Sequence, residues 1–77
     1  MKLIQVLGPG CAKCAKLYQN AHDAVRESGI TANVEKVTDI VAITGFGVVR
    51  TPALVIDGEV KFVGCVPSTA EIKKLLA

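Results

Sequence analysis

The 77-residue chain carries a formal net charge of +2, is 51% hydrophobic and only 4% aromatic, and has no Trp. That length holds one small domain, residues 1–77, and so much apolar character excludes intrinsic disorder. A charge this weak, with the nine basic residues in no dense cluster and no aromatic platform for bases, excludes nucleic acid as a partner.

In chain order, Lys2 to Leu7 (KLIQVL) is apolar and partly β-branched and is read as a first, central strand. Gly8-Pro9-Gly10 closes that run well short of a secretory signal core, and no stretch approaches the ~20 apolar residues of a membrane span. A cytoplasmic location with no membrane partner is therefore expected. From about Ala12 to about Ser28 the period becomes helical. Leu17, Tyr18, Ala21, Ala24 and Val25 share one face; Lys16, Gln19, Asp23, Arg26 and Glu27 take the other. Gly29 suits the helix end. Ile30 to Val37 alternates as a second strand. Asp39 caps a short helix through Ile40, Val41 and Ile43, stopped by Gly45 and Gly47. Thr51-Pro52 opens a third strand, Ala53 to Ile56; Asp57-Gly58 is a two-residue hairpin turn, and Glu59 to Val63 returns as the fourth strand. Ser68-Thr69-Ala70-Glu71 is a capping box for a last helix with Ile72, Leu75 and Leu76 at core spacing. The expected fold class is α/β, in the order β-α-β-α-β-β-α, with a right-handed parallel first β-α-β unit and antiparallel last strands.

Three cysteines are too few and too oddly spaced for a structural disulfide framework. A bridge between Cys11 and Cys14 would close a very short loop and constrain the unfolded chain by only roughly 2 kcal/mol. The same pair suits chemistry. A C-x-x-C that follows a strand and opens a helix meets the unpaired N–H groups and the positive dipole end of the first turn, which favour thiolate over thiol at Cys11. First cysteines in such motifs titrate at about 3.5–7.5, against about 8.5 for a free thiol. Lys13 and Lys16 add positive potential. Cys14, one turn on, can reach back to Cys11. In the expected cycle Cys11 attacks a substrate disulfide, a mixed disulfide forms, and Cys14 resolves it. Thr51-Pro52, taken by itself, is expected to be trans, since only about 5–6% of X–Pro bonds are cis.

Taken together, Gly8-Pro9-Gly10-Cys11-Ala12-Lys13-Cys14, Thr51-Pro52, Asp57-Gly58 and Gly64 resemble the thioredoxin superfamily, and most of all its short, glutaredoxin-sized redox-active disulfide proteins. The resemblance in organisation covers essentially the whole chain. It implies a minimal thioredoxin-like fold with a four-stranded mixed sheet of order 2-1-3-4 flanked by helices, and a cis bond at Thr51-Pro52. It also implies an exposed nucleophile at Cys11 and a resolver at Cys14, with Gly10, Thr51, Pro52 and Gly64 on the substrate side. The chain departs from the larger members in two ways: Gly10 and Ala12-Lys13 replace the Trp and Gly-Pro around the cysteines, and Gln5 stands where they carry a buried acid. Cys65-Val66-Pro67-Ser68 after Gly64 does not match the glutathione-binding pattern, so a protein disulfide is the expected substrate. The resemblance implies partnership with a reductase. No residue points to a nucleotide or flavin, so no cofactor is expected, and a monomer is.

Cys65 follows the fourth strand, which in this sheet runs parallel to the first, so it is expected on the rim of the substrate surface. It serves there either as a partly buried apolar filler or as a third redox thiol. His22 lies eight residues after Cys14, roughly 12 Å along a helix, too far to share one metal ion with it; it is read as a solvated helix residue, and no metal is expected. The competing function is a soft-metal chaperone that holds Cu(I) with the same C-x-x-C. That fold runs β-α-β-β-α-β and has no helix between its second and third strands.

Overall fold

The chain traces β1 (Lys2–Leu7), α1 (Ala12–Ser28), β2 (Ala32–Val37), α2 (Ile40–Gly45), β3 (Ala53–Ile56), β4 (Glu59–Val63) and α3 (Thr69–Leu76). The structure is a computed structural model and describes residues 2–9 and 12–76. α2 lies between β2 and β3, where the metal-chaperone alternative requires a direct connection of strands. The strands form one sheet in the order β2-β1-β3-β4. β1 runs parallel to β2, with Lys2 opposite Ala32 and Leu7 opposite Val37. It runs antiparallel to β3, with Leu7 opposite Ala53. β3 runs antiparallel to β4, with Ala53 opposite Val63 and a register shift between Leu54 and Val55. This is the 2-1-3-4 topology that the resemblance implies.

β2 begins two residues later than its alternation suggests. β1 starts at Lys2, whose partner is Ala32, so Ile30 and Thr31 find no strand beside them among the described residues. Thr31 only accepts the Lys2 N–H through its carbonyl, at 3.2 Å. At the hairpin, Asp57 (φ 51°) and Gly58 (φ 81°) both take the left-handed conformation, the primed geometry that matches the twist of paired strands. Asp57 is also tied to β1: its N–H donates to the Leu3 carbonyl (2.8 Å) and its Oδ1 accepts the Leu3 N–H (2.9 Å).

Period-two alternation sends the sheet's side chains into two apolar layers. Ile4, Val6, Leu54 and Ile56 meet Leu17, Ala21 and Ala24 of α1 and Ile72 and Leu76 of α3 on one face. Leu7, Ala53 and Val55 meet Ile43 of α2 and Val48 on the other. β3 is buried at all four positions because both faces are covered. Each fully buried aliphatic side chain contributes about 1.5–3 kcal/mol.

The helix ends follow the local chemistry. Asp39 accepts the Val41 N–H at 3.2 Å at the start of α2. In the capping box of α3, Ser68 Oγ accepts the Glu71 N–H (3.2 Å) and Glu71 Oε1 accepts the Ser68 N–H (3.3 Å). Asn20 occupies the core stripe of α1, 8% exposed, and its Nδ2 donates to the Pro67 carbonyl at 3.0 Å. That bond clamps α1 to the segment between β4 and α3. No helix among the described residues is long and apolar enough to cross a membrane.

Candidate functional site

One edge of the sheet gathers the candidate residues. β1 ends there at Leu7, β2 at Val37 and β4 at Val63, and β3 begins there at Ala53. The loops that leave this edge lead to α1, to α2 and Thr51-Pro52, and to Gly64 and Cys65. Gly10 and Cys11 lie outside the described residues. Cys14 stands in the first turn of α1 and is buried, 5% exposed. No carboxylate sits in that turn, and Lys13 and Lys16 are exposed around it, so nothing acidic there offsets the positive end of the helix.

Gly8 connects Cys14 to Thr51. It is buried, and its N–H donates to the Val37 carbonyl at 2.9 Å, continuing the β1–β2 ladder past Leu7. A Cβ on Gly8 would overlap Cys14 Sγ, lie 3.0 Å from Cys14 Cβ and lie 3.8 Å from Thr51 Cβ. The Thr51-Pro52 bond is cis, against the expectation from the dipeptide alone and in the form the resemblance implies. Pro52 is fully buried, and its carbonyl accepts the Gly64 N–H at 2.8 Å. Cys14, Thr51, Pro52 and Gly64 are thus linked by a short chain of contacts. Cys65 follows directly as an exposed free thiol, which removes its reading as a partly buried filler. Arg50 packs over Gly64, its Nε 3.4 Å from where a Cβ would be.

A cavity of about 90 Å³ lies beside Cys14, lined by Val6, Gly8, Cys14, Ala15, Lys36 and Thr38. Lys36 Nζ also sits 4.4 Å above the Tyr18 ring centroid, and His22 meets the same ring edge-on at 4.5 Å. His22 is exposed, and no group of three or more His, Cys, Asp or Glu able to hold a metal occurs among the described residues. Gln5 reaches Glu35 Oε1 at 3.5 Å rather than entering the cavity lining.

The exposed large apolar side chains lie on segments that leave or reach the same edge. Ile40, Val41 (76% exposed) and Val49 (90% exposed) lie on the connection between β2 and β3, both of whose ends are there, and Val63 closes β4.

Sequence reasoning missed what three of these residues do. Gly8 enters as the end of the first strand and as part of the motif that carries the resemblance, without its approach to Cys14, since a glycine needed for a turn and one needed for close approach look alike in a sequence. Lys36 carries no signal, because its neighbours come from distant segments. Asn20 did carry one: it stands three residues after Leu17 and four before Ala24, inside the apolar stripe, where a polar side chain requires a partner.

Comparison with known proteins gives concordant findings. The family model described as "Thioredoxin domain" matches residues 2–77. A protein named thioredoxin from Methanothermobacter thermautotrophicus is 46% identical over 77 residues, covering all of both chains. A second thioredoxin, from Methanocaldococcus jannaschii, is 42% identical over 76 residues, covering 99% of this chain and 87% of that one.

Proposed function

The chain belongs to the thioredoxin family and is a thiol–disulfide oxidoreductase, and on that premise we propose that Cys11 and Cys14 are its working dithiol and protein disulfides its substrates. The Cys11 thiolate attacks one sulfur of a substrate disulfide and expels the other as a thiolate, leaving a Cys11–substrate mixed disulfide. The Cys14 thiolate then attacks the Cys11 sulfur, the second substrate thiolate leaves, and both leaving groups take up protons from water. The substrate gains two electrons and the dithiol loses two. A reductase returns them. Gly10, Thr51 and Gly64 line the approach of the substrate chain, Pro52 is buried and acts there through Thr51, and Cys65 stands at the rim. The same proposal carries a monomer without bound cofactor, in a cytoplasmic setting.

The observation that carries this is the seat of Cys14: the sulfur lies against Gly8, whose other neighbour is Thr51 of the Thr51-Pro52 pair. Cys11 directly precedes Ala12, the first residue of α1, so the unpaired amides of that turn are available to its charge. The test is reduction of insulin by dithiothreitol, accelerated by the protein, together with alkylation mapping after oxidation. The expected oxidised protein carries one alkylatable thiol, at Cys65. A Cys11–Cys65 bridge as the main species would refute the assignment of Cys14.

Protein substrates are favoured over small disulfides by the apolar edge, because solvent-exposed Val41 and Val49 beside the site offer area that only a polypeptide covers. The double variant Val41→Asp/Val49→Asp is expected to raise KM for insulin several-fold, through lost apolar contact of about 1–2 kcal/mol. Its turnover of a small aromatic disulfide should stay unchanged. Equal loss with both substrates would mean that the edge does not take part in docking.

A further inference from the structure

We infer that Gly8 is a positioning residue for the resolving step, its missing side chain leaving the space that Cys14 Sγ occupies. The inference rests on the dithiol reading above. Gly8 is not there for a turn: its φ lies outside the left-handed region, so alanine is allowed by the backbone. The obstacle is space. Carbon and sulfur atoms need close to 4 Å, and a Cβ at position 8 would overlap Cys14 Sγ and crowd its Cβ at 3.0 Å.

The backbone cannot move aside cheaply. Gly8 follows fully buried Leu7, which pairs with both Val37 and Ala53, and the Gly8 N–H is itself held by Val37. The sulfur can move instead. The cavity beside it, bounded by Val6, Ala15, Lys36 and Thr38, has room for one, and a helical side chain has essentially two χ1 wells. Blocking the well that Cys14 occupies drives Sγ into the other. A disulfide tolerates little displacement: its Cβ atoms must lie about 3.5–4.5 Å apart with a dihedral near 90°. Alanine at position 8 therefore impairs the second attack, by Cys14 on the mixed disulfide, and spares the first, by Cys11 on the substrate.

The two attacks are read separately with 5,5′-dithiobis(2-nitrobenzoate), in a common Cys65→Ser background. Cys11 attacks the reagent, releasing one aryl thiolate and forming a Cys11–aryl mixed disulfide. Cys14 attacks that disulfide, releasing a second aryl thiolate as the Cys11–Cys14 bond forms. Gly8→Ala is expected to slow the second release by at least roughly 100-fold, since a change of χ1 well moves the sulfur by more than the ångström that already costs about that much. It should leave the first within about twofold. Equal slowing of both, or of neither, overturns the inference.

A packing arm runs alongside. Thermal stability lost in Gly8→Ala is expected to return in large part in Gly8→Ala/Cys14→Ala, because removing the sulfur removes the overlap and leaves only the 3.0 Å approach of the two Cβ atoms. This arm also holds should Gly8→Ala alone fail to fold, and no recovery in the double variant overturns the inference. A protein with Gly8 intact that releases only one aryl thiolate would sink the dithiol reading itself, and this inference with it, whatever Gly8→Ala does.

Discussion

Replacing Cys11 by Ser is expected to reduce insulin reduction to the uncatalysed rate, a loss of more than roughly 100-fold. The cause is ionisation. A thiol is a few per cent thiolate at neutral pH even without help, whereas a serine hydroxyl is essentially never ionised there. The helix amides ahead of α1, which begins at Ala12 with no acidic residue in its first turn, can stabilise only a charge that forms. Cys14→Ser has a different expected signature. The first attack survives, the mixed disulfide has no resolver, and substrate accumulates covalently on Cys11, visible as an added mass removed by dithiothreitol. If Cys11→Ser keeps substantial activity, or if Cys14→Ser accumulates no adduct, the roles of the two cysteines are wrong.

The second large effect concerns stability. Leu54 is fully buried at the centre of the sheet, between Val6 of β1 and Phe62 of β4, and packs into the layer that holds Leu17 and Ile72. Leu54→Ala is expected to cost about 2–5 kcal/mol, since the removed methyl groups leave a cavity that a crowded β3 cannot collapse to fill. At about 0.05–0.15 kcal/mol per residue, a chain this small has only about 4–12 kcal/mol to lose. Each kcal/mol corresponds to about 4–8 °C in a domain of this size, so Tm should fall by at least roughly 8 °C in a thermal melt followed by circular dichroism. A shift of only a degree or two would mean that the two layers repack around the alanine.

The elements whose signals are local were legible before the structure. Asp57-Gly58 demands two left-handed residues and adopts them; Ser68 and Glu71 form the reciprocal bonds that their spacing announces; α1 runs from Ala12 to Ser28 as its period and Gly29 suggest. Connectivity gave the parallel β-α-β unit and the antiparallel hairpin, and the full sheet order came from the resemblance. The start of β2 was not legible, because a strand ends where its neighbour does, and alternation in Ile30-Thr31 cannot report where β1 begins. The site divided in the same way. Cys14, Thr51, Pro52 and Gly64 are recognisable from motif and resemblance, whereas the approach of Gly8 to Cys14, the place of Lys36 and the clamp from Asn20 to Pro67 depend on residues 6 to 47 positions apart meeting in space. Exposure of Val41 and Val49 was equally hidden, since valine in a sequence reads as core.

The account rests on a stabilised thiolate at Cys11, and its most direct test is the pH dependence of Cys11 alkylation by iodoacetamide in a Cys14→Ser/Cys65→Ser protein. The rate should follow a single titration with a midpoint below the ~8.5 of a free thiol, so that reactivity persists as the pH falls through 8. A midpoint at or above ~8.5, with reactivity lost on that descent as in an unstructured peptide, would contradict it.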